Sequence, residues 1–204
     1  VTNSYFHHNH SDDGMNIKSS AFNLTGNKFL NNHADQLDVD FSTGKILDNI
    51  FVLKNDTESD FLLSDNGDGV DLSGSKVLVM NNTFDGFLDK ALSIGEKTTA
   101  FINENNFKHN RSAITVKDES SVFVRSNQYL NNKLNVESYQ KKMIFKTPKI
   151  FILDESLGNG KISNTSGVFF KTDVTNVDPE VSMKNVNDIF NSLFLMNWTA
   201  SDKL

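Results

Sequence analysis

The chain contains no cysteine, which removes both a disulfide framework and any zinc–thiolate site. Arginine occurs only at Arg111 and Arg125, and the formal net charge is -6 with a pI near 5.3. Binding to nucleic acid needs clustered Lys and Arg to meet phosphates, so nucleic acid is excluded as a partner. No apolar run approaches the roughly 20 residues of a membrane-spanning helix, and mean hydropathy is -0.40. Apolar periodicity of 3.6 over ten or more residues is missing before residue 180, which excludes a helical repeat. The Leu/Asn consensus of a leucine-rich repeat is missing too. What remains is one domain of 204 residues with a substantial core, and carbohydrates or cations as its candidate partners.

What the sequence does have is a repeat. Asn-x-(Phe/Tyr) occurs at Asn27–Phe29, Asn49–Phe51, Asn82–Phe84, Asn105–Phe107 and Asn127–Tyr129, with successive asparagines 22, 33, 23 and 22 positions apart. Asn3-Ser4-Tyr5 lies 24 before the first. One interval is longer by about half a repeat, as a loop insertion makes it.

Two further alternating runs accompany each aromatic. The first is Met15–Ile17, Leu37–Val39, Val70–Leu72, Leu92–Ile94, Ile114–Val116 and Leu134–Val136. Apolar, polar, apolar is the pattern of a strand with one buried face. The second is Phe22–Leu24, Lys45–Leu47, Val77–Val79, Phe101-Ile102 and Val122–Val124, just ahead of each Asn. The expected fold is therefore all-β: a right-handed, single-stranded parallel β-helix of about six coils, with three short strands per coil. Rungs about 4.8 Å apart stack the aromatics inside. They also let the asparagine amides, each both donor and acceptor, bond along their own column. Asn tolerates left-handed backbone, which suits it to the bend.

With these columns the sequence resembles the pectate-lyase-like right-handed β-helix superfamily over residues 1–155. Its asparagine ladder lies at the turn between the second and third sheets, and the resemblance places Asn27, Asn49, Asn82, Asn105 and Asn127 there. Leu37–Val39 and its equivalents then belong to the first sheet, whose outer face carries the glycan cleft in that family's enzymes. Leu92–Glu96, Val116–Ser120 and Tyr139–Lys142 are similar in wording to uncharacterised bacterial β-helix repeat proteins.

Residues 156–204 are expected to form a C-terminal cap. Asp178-Pro179-Glu180 suits a helix start, and Val186, Ile189, Phe190, Leu193 and Phe194 fall on one helix face that would plug the core. At the other end the chain opens part-way through a coil, at Val1 and not Met, so further coils or a capping segment are expected before it. The inserted residues, about 53–66, carry Asp56, Glu58, Asp60 and Asp65 and are expected to overhang the first sheet.

Strand alternation turns Asn16, Asp38, Asp71, Ser93, Thr115 and Asn135 outward from the first sheet. Asp13, Asp35, Asp68 and Asp89 form a second column just before those strands, flanked by Asp12 and Asp40. Turn chemistry and solvation account for such residues one at a time. As a group they support two chemistries. Asp35, Asp38, Asp40, Asp68 and Asp71 offer the oxygen ligands of a Ca²⁺ site. Asp12, Asp13, Asp38 and Asp71 are the candidate catalytic carboxylates for acid/base work on a glycosidic bond.

Asp12-Asp13 resembles the paired Asp of polygalacturonase-type hydrolases, but the Asn-Thr-Asp, Gly-His-Gly and Arg-Ile-Lys elements of that family are missing. Lys18, Lys90 and Lys117 are the cations expected on the outer face, with no arginine among them. His8 and His10 with Asp12 offer nitrogen and oxygen ligands to a transition metal. Asn-x-Ser/Thr matches, among them Asn23, Asn55, Asn81, Asn110, Asn164 and Asn197, carry little weight in so Asn-rich a chain.

The expected function is that of a secreted or bacterial envelope-associated domain, binding or displaying to a polysaccharide or cell-surface glycan through Asn16, Asp38, Asp71 and Lys117 without catalysing a reaction. The alternatives are a lyase or hydrolase acting on acidic glycans across the same face, and an adhesin or fibre segment.

Overall fold

In the computed structural model, residues 1–54, 67–153, 157 and 161–172 are described, the last five by backbone alone. Among the described residues, twenty strands alternate among three parallel sheets and wind a right-handed solenoid. Each coil contributes a three-residue aromatic strand, a first-sheet strand of three to six residues and a second-sheet strand of five. The aromatic sheet is β1 (Tyr5–His7), β4 (Lys28–Leu30), β7 (Ile50–Val52), β10 (Thr83–Asp85), β13 (Asn106–Lys108) and β16 (Gln128–Leu130). The first sheet is β2 (Asn16–Lys18), β5 (Leu37–Asp40), β8 (Val70–Ser73), β11 (Lys90–Gly95), β14 (Ser112–Lys117), β17 (Leu134–Tyr139) and β19 (Ile162–Asn164). The second sheet is β3 (Ala21–Thr25), β6 (Thr43–Leu47), β9 (Lys76–Met80), β12 (Thr99–Asn103), β15 (Ser121–Arg125), β18 (Lys149–Leu153) and β20 (Val168–Thr172). Two of the three sheets thus continue through residues 162–172. The cap helix expected after residue 178, and nearly all of the inserted loop, lie outside the described residues.

The core is built of columns. Phe6, Phe29, Phe51, Phe84, Phe107 and Tyr129 stack with centroids 4.9, 4.9, 5.0, 5.0 and 5.7 Å apart and planes within 15°. In the first coil the stacking ring is Phe6 and not Tyr5, because Phe6 is the register partner of Phe29. Alternation buries Leu37 with Val39, Leu92 with Ile94, and Val77 with Val79, all at 0% exposure.

The asparagine ladder runs as expected. Nδ2 of Asn27, Asn49, Asn82 and Asn105 each donates to Oδ1 of the next asparagine at 2.9–3.0 Å. The backbone N–H of each donates to that same oxygen at 2.8–2.9 Å. All five amides are buried, so these bonds satisfy groups that would otherwise be desolvated without partners. The left-handed residue is not the ladder asparagine, however. It is the one before it: Gly26, Asp48, Asn81, Glu104 and Ser126, with φ of 53–69°. The bend thus divides the work between a strained residue and an amide that seals it.

Two further ladders had no counterpart in the repeat motif. Asn110 Nδ2 donates to Asn132 Oδ1 at 3.0 Å where the aromatic strand turns toward the first sheet. Between the first and second sheets, the N–H groups of Ser20, Ser42 and Ser75 donate to the hydroxyls of Ser42, Ser75 and Thr98 at 2.9–3.0 Å.

Candidate functional site

The first sheet positions the outward residues by register. Asn16 pairs with Asp38, Asp38 with Asp71, Asp71 with Ser93, and Ser93 with Thr115. In the sixth coil the expectation is corrected: Thr115 pairs with Glu137, and Asn135 is not in the column. Val136 is the core partner of Ile114, so β17 is set two residues later than the Leu134–Val136 pattern suggested. Asn135 instead accepts from Asn132 and donates to the Leu157 carbonyl at 2.8 Å. The spacing itself carried the signal, since Glu137 lies one 22-residue period after Thr115.

The face is not uniformly accessible. Asn16 is exposed and Asp38 and Asp71 are half-buried, whereas Ser93 and Thr115 are fully buried although they point away from the core. Lys117 is buried too, its Nζ donating to Ser93 Oγ at 2.7 Å and standing 3.9 Å from Asp71 Oδ1. The reachable part of the face is therefore its N-terminal half, and it is acidic.

The corner column serves as turn structure and as a charge cluster at once. Asp13 Oδ1 accepts the Asp35 N–H at 3.1 Å, and Asp35 Oδ1 accepts the Asp68 N–H at 2.6 Å. Oxygens of Asp35, Asp68 and Asp71 lie within 4.8 Å of one another. Burial, with Asp68 as neighbour, pushes the Asp35 carboxyl up to about 8. Burial and the charges of Asp40 and Asp71 raise Asp38 to about 7. Asp68 rises to about 6, again by burial, with Lys90 opposing. Asp13 is raised mainly by burial.

Lys90 closes the cluster on one side. Its Nζ lies 3.1 Å from Asp68 Oδ1, an ion contact that leaves this oxygen without a well-formed hydrogen bond, and it also meets Asp89. Burial works against the Lys90 charge, but Asp68 and Asp89 outweigh it and hold the amine above the usual lysine range.

The other expected residues are dispersed. Asp12 is exposed on the bend before β2. Asp38 lies outside the tight trio, and Asp40, also outside, pairs with Lys18 at 3.3 Å. His7 and His8 bring their Nδ1 atoms to 3.1 Å, but no described group of three ligands includes His8, His10 or Asp12. The expectation that no arginine reaches this face is corrected: Arg111 Nη1 bridges Asp89 at 3.2 Å and Glu137 at 3.4 Å. Arg111 stands just ahead of β14, where the strand pattern did not look for it.

A family model described as a right handed beta helix region matches residues 1–170. The chain belongs to that family. No curated protein matches it. In this β-helix domain the fold is that of the family, and the acidic corner lies on its first sheet. No helix among the described residues is long and apolar enough to cross a membrane.

Proposed function

We propose that this β-helix domain is a non-catalytic glycan-binding module, secreted or carried on a bacterial envelope, that uses the N-terminal half of its first sheet. The observation that carries the reading is the convergence of Asp35, Asp68 and Asp71 beside the half-buried Asp38 and the exposed Asn16. Carboxylates accept hydrogen bonds from sugar hydroxyls, and Asn16, whose Nδ2 donates to Asp38 Oδ2 at 2.6 Å, adds an amide edge. Three carboxylate oxygens within 4.8 Å also suit Ca²⁺, whose remaining ligands would be water or sugar hydroxyls. Asp68 is shared with Lys90, so the ion would sit toward Asp35 and Asp71.

An acidic face repels uronates unless a cation bridges them, so the favoured ligands are neutral sugars, with acidic glycans bound only when Ca²⁺ is present. Glycan-array binding of the intact protein with Ca²⁺ and with chelator tests this, alongside Asp38→Ala and Asp71→Ala. Loss of binding in both variants is expected. No binding to any polysaccharide in either buffer removes the reading and leaves a scaffold.

A second reading, hydrolysis or β-elimination, is favoured by one relation: Asp38, raised to about 7, is adjacent to Asp71 in the column. Asp38 can therefore hold a proton near neutral pH and serve as a proton donor. Incubation with polysaccharides and assay of new reducing ends or unsaturated products tests it. Turnover unchanged in Asp38→Asn and Asp71→Asn would dismiss these residues as catalytic.

A further inference from the structure

At the bend from the first sheet to the second, five coils use two or three residues: 19–20, 41–42, 74–75, 96–98 and 118–120. The sixth uses nine, residues 140–148, while β18 still pairs with β15 in full register. The extra length forms a projecting turn. The Lys142 carbonyl accepts the Phe145 N–H at 3.1 Å, which sets Met143 and Ile144 at the two central positions. Turn centres favour Gly, Pro, Asn, Asp and Ser, so an apolar pair there has no local reason. Met143 is 88% and Ile144 84% exposed, and no other large apolar side chain among the described residues passes 57%.

The stems of this turn are braced against the preceding coil. Oδ1 of the buried Asp118 accepts the N–H groups of Lys141 and Lys142, both at 2.7 Å. Glu119 Oε2 accepts the Lys146 N–H at 3.2 Å, and Gln140 Nε2 donates to the Phe145 carbonyl at 2.5 Å. The fold thus holds two apolar side chains out in water, an arrangement that is unfavourable until something apolar meets them. The charge around them says what that is. Between Glu137 and Asp154 the chain carries four lysines and no acid, in a protein of net charge -6. Lys142 pairs with Glu96, while Lys141, Lys146 and Lys149 are exposed and have no ion-pair partner among the described residues.

We infer that this loop docks the protein on an anionic lipid surface. Met143 and Ile144 enter the boundary between headgroups and acyl chains, and the lysines around them meet lipid phosphates. A partner protein would need a socket shaped to a convex tip, whereas a lipid surface opens around one. The acids nearest the loop are already engaged: Glu96 by Lys142, Glu119 by Lys97 at 3.8 Å, and Asp118 by the two N–H groups. The acidic corner is too distant to repel the membrane at this point. β8, which carries Asp71, lies three strands from β17, about 14 Å, beyond the screening length of about 8 Å at physiological salt.

Both tip side chains lie in solvent, so replacing them leaves the coil intact and the full-length protein can be tested. Flotation with vesicles of equal parts phosphatidylcholine and phosphatidylglycerol should recover the protein, and vesicles of phosphatidylcholine alone should recover far less. Met143→Asp with Ile144→Asp should weaken binding at least about tenfold, with an unaltered urea midpoint. Lys141→Gln with Lys146→Gln should weaken it by about tenfold and flatten its dependence on salt. Trp198 is the only tryptophan, so Ile144→Trp in a Trp198→Phe background reports on the tip alone. Its emission should move to shorter wavelength on the anionic vesicles; binding without that shift would mean adsorption to headgroups only and overturns the insertion. Unchanged binding in the Met143→Asp, Ile144→Asp protein overturns the inference as well. So does a protein that ignores both kinds of vesicle, a result that would leave a partner protein as the reader of the loop.

Discussion

Asp38 and Asp71 are Cα partners on adjacent strands of the first sheet, although 33 residues separate them in the chain. β5 by itself sets Asp38 beside Asp40; only the winding adds Asp71 from another coil. With Asp35 and Asp68 at the neighbouring corner they make a cluster whose protonation is tied to folding.

That tie has a sign. Asp35, Asp38 and Asp68 carry folded-state values of about 8, 7 and 6, above the ordinary 3.8. The folded chain therefore holds more protons than the unfolded chain between about pH 4 and 8, and the stabilisation, full below pH 4, is lost as pH rises through that window. The thermal midpoint measured in chelator should fall by on the order of 5 °C between pH 5.5 and 8.5. A midpoint that rises over this range would contradict the cluster.

Divalent binding should run the other way with pH, because an ion must displace the Asp35 proton. Titration calorimetry with CaCl₂ alone is expected to show affinity rising between pH 6 and 8.5, with Asp35→Asn and Asp71→Asn each weakening it at least tenfold. Binding that is independent of pH would place any ion elsewhere.

Asp71→Asn removes one of the charges that raise Asp38 and Asp35. Carboxyl-carbon NMR titrations should show both midpoints moving down, by less than the full shift because burial is the larger cause. Unmoved midpoints would mean that the two rungs do not interact.

Asn82→Ala leaves the N–H and Nδ2 of Asn49 without their acceptor and frees the carbonyls of Ile46 and Met80. The cost expected in urea unfolding is about 2–4 kcal/mol, against less than about 0.5 kcal/mol for the exposed Asn23→Ala.

Phe84→Ala opens a hole between two stacked rings and should cost about 3–5 kcal/mol. Phe6→Ala, whose ring has a neighbour on one side and is only half-buried, should cost clearly less in the same unfolding experiment. Equal costs would argue against a continuous column.

Where the period is regular, the columns were readable before any coordinates. Asn49, Asn82 and Asn105 line up as their spacing implied, the inserted residues notwithstanding, because an insertion between strands leaves their pairing intact. Asp35, Asp38, Asp68 and Asp71 were placed on one flank by the same logic. Asn135 was misplaced and Glu137 passed over because apolar-polar-apolar also fits Leu134–Val136; the 22-residue period pointed to the other register, in which Val136 pairs with Ile114, and Arg111 was missed because it stands ahead of the strand pattern.

By itself the sequence determined the coil length, the three-strand rung, and which side chains stack inside, since a period near 22 residues becomes a column once strands pair at a fixed spacing. Tertiary structure alone decided which outward residues meet water: the dryness of Ser93, Thr115 and Lys117. Periodicity says which way a side chain points from its strand. What lies above it depends on neighbouring coils distant in the chain, as Lys117 over Ser93 shows.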